Sequence, residues 1–198
     1  MKNLNELSKR VHDNAVMHGW WNEQLSNEHY LMLIITEIAE MVEADRKGND
    51  ARIRHAEAQR RLPNKQKCKY TEELNRVFYN DCTRFIEAFE KHIKDTIQDE
   101  MADVFIRLLD LAASLGIDFD KFTKMHYHRA FGRFSFTDNA FALTKGLCRE
   151  NINIFKRIQF GVEYVKNWAI ELGVDFEWHV KMKMKYNTTR PFKHGKRY

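Results

Sequence analysis

Apolar residues recur every three or four positions along most of the chain, which is the period of an amphipathic α-helix. This spacing predicts helices near 3–18, 27–47, 70–92, 94–115, 119–131, 151–171 and 176–187. Ser26 or Asn27 can cap the second of these helices, and Gly48 stands where its C-terminal cap belongs. The pattern therefore indicates a chain built from helices joined by short connections.

Composition supports an all-α protein. The 198 residues include only two prolines and eight glycines, which favours helices over strands and turns. This length suits one domain with a substantial core, so we expect a single helical bundle spanning residues 1–198. The stretch "ARIRHAEAQRRLPNKQKCK" is strongly basic and contains a proline. We interpret residues 49–92, which contain it, as an inserted helical excursion.

Two stretches of the chain resemble each other. "LGIDFDKFTKMHYHR" begins at residue 115 and "LGVDFEWHVKMKMKY" begins at residue 172, and both read as a junction between two helices. The positions that correspond to Glu100 and Asp103 in the second copy are Arg157 and Phe160, so only the first copy keeps its acids. Duplication of a helical hairpin and chance similarity both explain this pattern.

Cysteine usage and hydropathy predict a cytoplasmic protein outside the membrane. The three cysteines, Cys68, Cys82 and Cys148, are far apart and form no CxxC pair, so we expect neither a disulfide framework nor a zinc site. The first residues lack the apolar core of a signal peptide, and the longest apolar run, "LMLII", is too short to cross a bilayer.

Positive charge is concentrated at the C-terminal end. The net charge is +5, and the last twenty residues hold five lysines and two arginines with no acid. Such a patch attracts phosphate groups on a nucleic acid or on a small nucleotide, and charge alone does not choose between them. A solvated basic tail is an equally weighted interpretation.

Acidic residues stand at the margins of two apolar helix faces. Glu37 and Glu40 flank the apolar stripe of the second predicted helix, and Glu100 and Asp103 flank that of a later helix. If the two helices pack antiparallel through their stripes, four carboxylates converge on one rim and repel each other strongly. A divalent ion removes this repulsion, and an all-oxygen ligand set suits Mg²⁺ or Mn²⁺. The two stripes are Leu31, Ile34, Ile35, Ile38, Met41 and Val42, and Ile97, Met101, Val104, Leu108, Leu111 and Leu115.

Acids three positions apart also occur on ordinary solvated helix faces, as Glu87 and Glu90 show in this same chain. Salt bridges or solvation of the two pairs therefore stay open as alternatives. His126 and His128 would point about 200° apart on a helix, so we interpret them as surface histidines rather than metal ligands.

The acidic segments resemble a known signature. "EIAEMVE" followed by "DEMADVFIRLLDLA" resembles the ExxE and ExxD motifs of MazG-like, all-α nucleoside triphosphate pyrophosphohydrolases. "KMKYNTTRP" resembles that family's C-terminal K-M-x-x-N-x-x-R element, and "HGWWNE" resembles the aromatic base-binding wall of some relatives. The chain departs from the family in having Thr36 before Glu37 instead of a second glutamate, and in the long spacing from Glu43 to Glu100.

The resemblance implies a fold with a four-helix core of the all-α NTP pyrophosphatase type plus inserted helices, assembled as a homodimer or a dimer of dimers. It implies that Mg²⁺, with Mn²⁺ as a substitute, binds to the four acids of the two pairs, and that Glu43 is a further ligand or a general base. The remaining implied contacts are Lys183, Asn187 and Arg190 with phosphates, and His18, Trp20 and Trp21 with the base. For the aromatic residues, a place in the core is an equally weighted interpretation.

The main functional hypothesis is a Mg²⁺-dependent nucleotide pyrophosphohydrolase, which cleaves the α–β bond of an NTP or dNTP to give the monophosphate and pyrophosphate. One alternative is a non-enzymatic module that binds nucleic acid through residues 52–69 and 179–198. Nucleic acid is the less favoured partner, because carboxylates at the core margins would repel a polyanion. A second alternative is a catalytically degenerate family member that acts as a partner protein and uses the acids in salt bridges.

Overall fold

The computed structural model describes residues 3–52, Leu74, 81–121 and 130–195. This part of the chain contains seven α-helices and no strand, which confirms the all-α prediction. Short 3₁₀ turns lie at Phe119–Lys121, Phe131–Arg133 and Phe192–Gly195. The helices are α1 (Leu4–Met17), α2 (Asn27–Arg46), α3 (Cys82–His92), α4 (Ile97–Ser114), α5 (Phe136–Leu147), α6 (Ile154–Glu171) and α7 (Phe176–Thr188).

Helix α4 is the centre of the bundle. It packs against α1, α2, α6 and α7, and 12 of its 18 residues are buried, so it is apolar around most of its circumference. Met101, Phe105, Leu108 and Leu109 are completely inaccessible to solvent. Helix α4 therefore supplies core residues on several faces and leaves one face for polar groups.

Helix α2 runs antiparallel to α4, which meets the condition under which the sequence predicts that the acids come together. At one end the Ile97 amide donates to the Asn49 carbonyl over 2.9 Å, and at the other the Trp21 indole donates to Asp110. Four members of the predicted α2 stripe are buried, namely Leu31, Ile34, Ile38 and Met41, whereas Ile35 and Val42 are partly exposed. This packing places the acidic margin of α2 against the acidic margin of α4.

The ends of α2 carry the predicted caps. The Ser26 hydroxyl accepts a hydrogen bond from the His29 amide at the N-terminus. Beyond the C-terminus, Gly48 has a φ of +65°, a left-handed conformation that glycine adopts at little cost. The Asn49 amide then bonds back to the Ala44 carbonyl over 2.9 Å. Both ends of the acidic helix are thus defined locally by the sequence.

Helix α5 is missing from the helices predicted by hydrophobic spacing. Its N-terminus is marked by a capping box, in which the Ser135 and Asp138 side chains each bond the other's backbone amide. Ala140, Leu143 and Leu147 are its buried apolar residues. The helix predicted at 119–131 is described only at its two ends, which are 3₁₀ turns, and residues 122–129 lie outside the described part together with the two histidines placed there.

The described end of the predicted insertion packs into the bundle. Within residues 49–92, helix α3 lies against α7, where the Phe89 and Tyr186 rings stack with centroids 4.4 Å apart. Phe85, Met182 and Ile93 are fully buried in the same second core cluster. Residues 53–73 and 75–80 lie outside the described part. The segment from α3 onward is thus anchored to the C-terminal helix.

The two similar junctions share the same backbone geometry. Gly116 and Gly173 have φ values of +65° and +67°. The Ile117 amide bonds to the Ala112 carbonyl, and the Val174 amide bonds to the Ala169 carbonyl, in the same helix-ending pattern. Beyond them, one junction leads into a 3₁₀ turn and the other into α7.

Two further expectations bear on the described residues. Cys82 and Cys148 are free and exposed, while Cys68 lies outside the described part. No helix in the described ranges is both long enough and apolar enough to cross a lipid bilayer.

Candidate functional site

A cleft of about 210 Å³ opens along the polar face of α4. Glu100, Asp103, Arg107 and Asp110 succeed one another on that face at intervals of three or four residues. Residues from α1, α2 and α7 line the other sides. The cleft therefore gathers the acidic margins of two helices and the basic C-terminal segment in one place.

Three of the four predicted acidic ligands meet in this cleft. Carboxylate oxygens of Glu37, Glu100 and Asp103 lie within 4.8 Å of one another. Glu37 and Glu100 are each only 5 % exposed. Glu40 lines the same cleft but is exposed and lies outside the group of three. The structure thus brings acids from α2 and α4 together, with Glu40 at the edge. We call Glu37, Glu100 and Asp103 the acid cluster.

Glu100 has the most strongly raised pKa in the acid cluster. Its Oε2 atom is buried and has no hydrogen-bond partner among the described residues. Burial, together with the nearby charges of Asp103 and Asp99, raises the pKa of Glu100 to about 9. Burial also raises the pKa of Glu37, although Arg107 opposes this shift. An all-oxygen cluster with an unsatisfied buried carboxylate has the chemistry that a hard divalent cation requires.

Lys183 reaches the acid cluster from α7 but is engaged with carboxylates. Its Nζ atom lies 2.9 Å from Asp99 Oδ2 and 2.7 Å from Asp103 Oδ2. Burial lowers the pKa of Lys183, yet the neighbouring carboxylates overcome this effect and hold the pKa above its ordinary value. Burial raises the pKa of Asp99 to about 6 despite the lysine. The lysine that the resemblance assigns to phosphates therefore uses two of its three donors within the protein.

Asn187 and Arg190, the other two residues of the C-terminal element, also line the cleft. Asn187 is 9 % exposed, and its Oδ1 atom is buried without a hydrogen-bond partner among the described residues. Arg190 lies just beyond the end of α7 and is partly exposed. The K-M-x-x-N-x-x-R element thus comes to the cleft as a unit, with Arg190 nearest the solvent.

The three aromatic candidates occupy different positions. Trp20 lines the cleft. Trp21 instead stacks on Tyr30 with ring centroids 4.4 Å apart, and its indole nitrogen donates to Asp110 over 3.0 Å. His18 Nδ1 lies 2.8 Å from the carbonyl oxygen of Asn14, one turn earlier in α1. Trp20 is the member of this set placed to meet a ligand in the cleft, and Trp21 forms part of the supporting wall.

Glu43 is placed away from the cleft. Its carboxylate pairs with Arg46 over 2.8 Å and with Lys47 over 3.3 Å. Six residues along a helix correspond to a rotation of about 240°, so Glu43 cannot share the face of Glu37. The implied role of Glu43 as ligand or general base is therefore not matched by its position on the surface of α2.

The sequence patterns do not predict several residues in and beside the cleft. Arg107 binds Glu37 through Nε, Asp99 pairs with Lys183, and Asp110 accepts hydrogen bonds from Trp21. Arg107 lies four positions after Asp103 and therefore on the same helical face, so helical periodicity contains a signal for it. The buried pair on Asp99 had no such signal, because its partner lies on a helix distant in sequence.

The chain has no match among protein-family models, curated proteins or solved structures. The arrangement of side chains in the cleft is therefore the main basis for a function, and the motif resemblance stays an expectation.

Proposed function

We propose that this protein is a Mg²⁺-dependent nucleotide pyrophosphohydrolase of the MazG-like kind. Glu100 is the observation that carries the proposal, because it is almost fully buried and one of its oxygens has no partner among the described residues. A buried carboxylate beside two other acids is strongly unfavourable when ionised. A divalent ion held by the acid cluster would offset the repulsion between the ionised carboxylates, which accounts for three acids lying together.

The residues of the cleft divide the work of such a reaction. The acid cluster would hold the ion, and Lys183 fixes Asp103 through its 2.7 Å contact. Bound Mg²⁺ would supply neutralisation of the phosphate oxygens and activation of a water molecule. Glu40, an exposed carboxylate in the same cleft, would be the proton acceptor. Trp20 supplies an aromatic surface for the base.

A panel of NTPs and dNTPs incubated with purified protein and Mg²⁺ tests this function. We expect release of pyrophosphate together with the nucleoside monophosphate, because the α–β bond is cleaved. Glu100→Gln should abolish the release, whereas Glu87→Gln, which alters an exposed glutamate on α3, should leave it unchanged. Absence of pyrophosphate across the panel, from a protein shown to be folded, would overturn the proposal.

The degenerate-partner alternative has one observation in its favour. Two acids of the cluster already have cationic partners within the protein, since Arg107 binds Glu37 and Lys183 binds Asp103. Thermal melting with increasing Mg²⁺ separates the two readings, because an ion that binds the folded state raises its stability by mass action. No shift at millimolar Mg²⁺, with no turnover, would favour the partner role.

We also propose, from the resemblance, that the protein assembles as a homodimer or a dimer of dimers. Light scattering coupled to size-exclusion chromatography would measure the mass directly against the 23.7 kDa of one chain. A single-chain mass at micromolar concentration would reject this part of the proposal without affecting the reaction.

A further inference from the structure

Arg107 extends into the cleft from α4, one turn beyond Asp103, and a single hydrogen bond fixes it. Its Nε atom donates to Oε1 of Glu37, a member of the acid cluster. The side chain is 27 % exposed, whereas that of Glu37 is 7 % exposed. The arginine is therefore fixed through Nε by a buried acid, while its side chain stays partly exposed and lines the cleft.

The outer part of the guanidinium is unused. Nη1 and Nη2 make no hydrogen bond with any residue that the structure describes, and the residue lines the cleft. The guanidinium carbon lies 6.0 Å from the centroid of the Trp20 ring, close enough for a cation–π contact. The aromatic ring and the Nε hydrogen bond together orient the free N–H groups before any ligand arrives.

The neighbouring cation is in the opposite situation. Lys183 is 5 % exposed, and its ammonium group is occupied by two carboxylates. A phosphate approaching Lys183 would have to displace one of these buried pairs, which is costly. A phosphate approaching Arg107 would meet N–H donors that are already available.

We propose that Arg107 binds the phosphate of the substrate at the acid cluster through its free Nη groups, and that Lys183 acts as a positioning residue for the carboxylates. This inference rests on the proposed nucleotide hydrolysis. A guanidinium presents two parallel N–H donors that match two oxygens of one phosphate, a geometry that an ammonium group does not offer.

The contact with Glu37 couples this role to the ion. With the cluster empty, the charge of Arg107 offsets that of Glu37. When a divalent ion takes over that neutralisation, the positive charge of Arg107 becomes available to a phosphate. Ion and nucleotide should therefore strengthen each other's binding by the same factor, as linkage requires.

The test compares Arg107→Gln, Arg107→Lys and a matched control, Arg84→Gln. Arg84 is an exposed arginine paired with Asp81 over 3.3 Å and lies outside the cleft. Nucleotide binding is measured by calorimetry with the α,β-methylene analogues of the ribonucleoside triphosphates, which cannot be cleaved at the α–β bond. Binding of Mg²⁺ alone is measured by the same method, and circular dichroism melts verify folding.

We expect Arg107→Gln to weaken analogue binding in the presence of Mg²⁺ by about tenfold or more, as for loss of a charge-assisted fork. Binding of Mg²⁺ alone should be equal to wild type or tighter, because a cation beside the cluster has been removed. Arg107→Lys should stay within about threefold of Arg107→Gln, because the paired geometry is lost, and Arg84→Gln should match wild type.

Two results would overturn the inference while leaving the proposed function intact. One is an active wild type whose analogue affinity is unchanged in Arg107→Gln. The other is full recovery in Arg107→Lys, which would show that only charge, or only support of Glu37, matters. A wild type that neither binds any analogue nor releases pyrophosphate would instead overturn the proposed function and this inference together.

Discussion

Replacing Glu100 by glutamine should stabilise the metal-free protein and remove its response to Mg²⁺. The carboxyl is 5 % exposed, and its Oε2 atom has no partner among the described residues. Burial and the charges of Asp103 and Asp99 raise its pKa from an ordinary 4.5 to about 9. The folded protein therefore keeps this group protonated at neutral pH, whereas the unfolded chain would ionise it.

The size of the effect follows from proton linkage. The stability associated with this group is fully present below pH 4.5 and is lost progressively as the pH rises toward about 9. Each pH unit in that window costs about 1.4 kcal/mol, so the upper limit near pH 7.5 is about 4 kcal/mol. Glutamine stays neutral in both states and escapes this cost. We expect a gain of about 2–4 kcal/mol, or roughly 5–15 °C in Tm for a chain of this length.

Thermal and urea unfolding near pH 5 and pH 7.5, with and without Mg²⁺, measure both parts of this prediction. The gain in Glu100→Gln should be small at the lower pH and large at the higher pH. Mg²⁺ should stabilise the wild type and have little effect on the variant. Glu87→Gln, on the exposed face of α3, serves as the control. Equal stability of Glu100→Gln and wild type at pH 7.5, with equal responses to Mg²⁺, would refute the reasoning.

Three further predictions concern other parts of the cleft and its support. Lys183→Met should lower the free energy of unfolding by about 3–5 kcal/mol in urea titrations, because it leaves buried carboxylates without a cation. The control Lys145→Met, at an exposed site, should change the free energy of unfolding by less than about 1 kcal/mol. Burial lowers the pKa of His179 from 6.5 to about 4, so the unfolded chain takes up a proton on this residue before the folded protein does. Stability therefore falls as the pH drops from 6.5 toward 4, and His179→Leu should flatten this decline in Tm. Trp20→Ala should raise KM with little change in Tm. Trp21→Phe should lower Tm with little change in KM, because Trp21 donates to the partly buried Asp110. Equal effects in both assays would contradict this division.

The acid cluster was predictable because its determinants are local. Helical periodicity places Glu37 beside the stripe of α2 and Glu100 beside the stripe of α4. The antiparallel packing of the two helices, which the sequence leaves as a condition, then brings the margins together. Glu40 is displaced to the exposed edge of the cleft because it lies on the far side of Glu37 from the buried stripe. Periodicity therefore located three of the four acids in one group and the fourth in the same cleft.

Features that depend on long-range packing were not predictable in the same way. The pairing of Lys183 with Asp99 joins residues 84 positions apart, and hydrophobic spacing does not specify which carboxylate a lysine on α7 will meet. Helix α5 is not predicted by hydrophobic spacing for a different reason. Its buried stripe is short, and Thr144 and Gly146 weaken its helical propensity, so the capping box at Ser135 was the clearer signal.

Two of the three acids of the cluster, Glu100 and Asp103, lie on α4, the helix at the centre of the core. Because α4 contacts α1, α2, α6 and α7 and keeps most of its residues from solvent, it cannot detach without dissolving the bundle. Its backbone amides should accordingly be among the slowest to exchange with deuterium, at rates governed by complete unfolding rather than by local fraying. Heat inactivation should then coincide with loss of the helical signal in circular dichroism. The side of the cleft formed by α4 would be rigid, and only the residues at its exposed edge could adjust to a ligand.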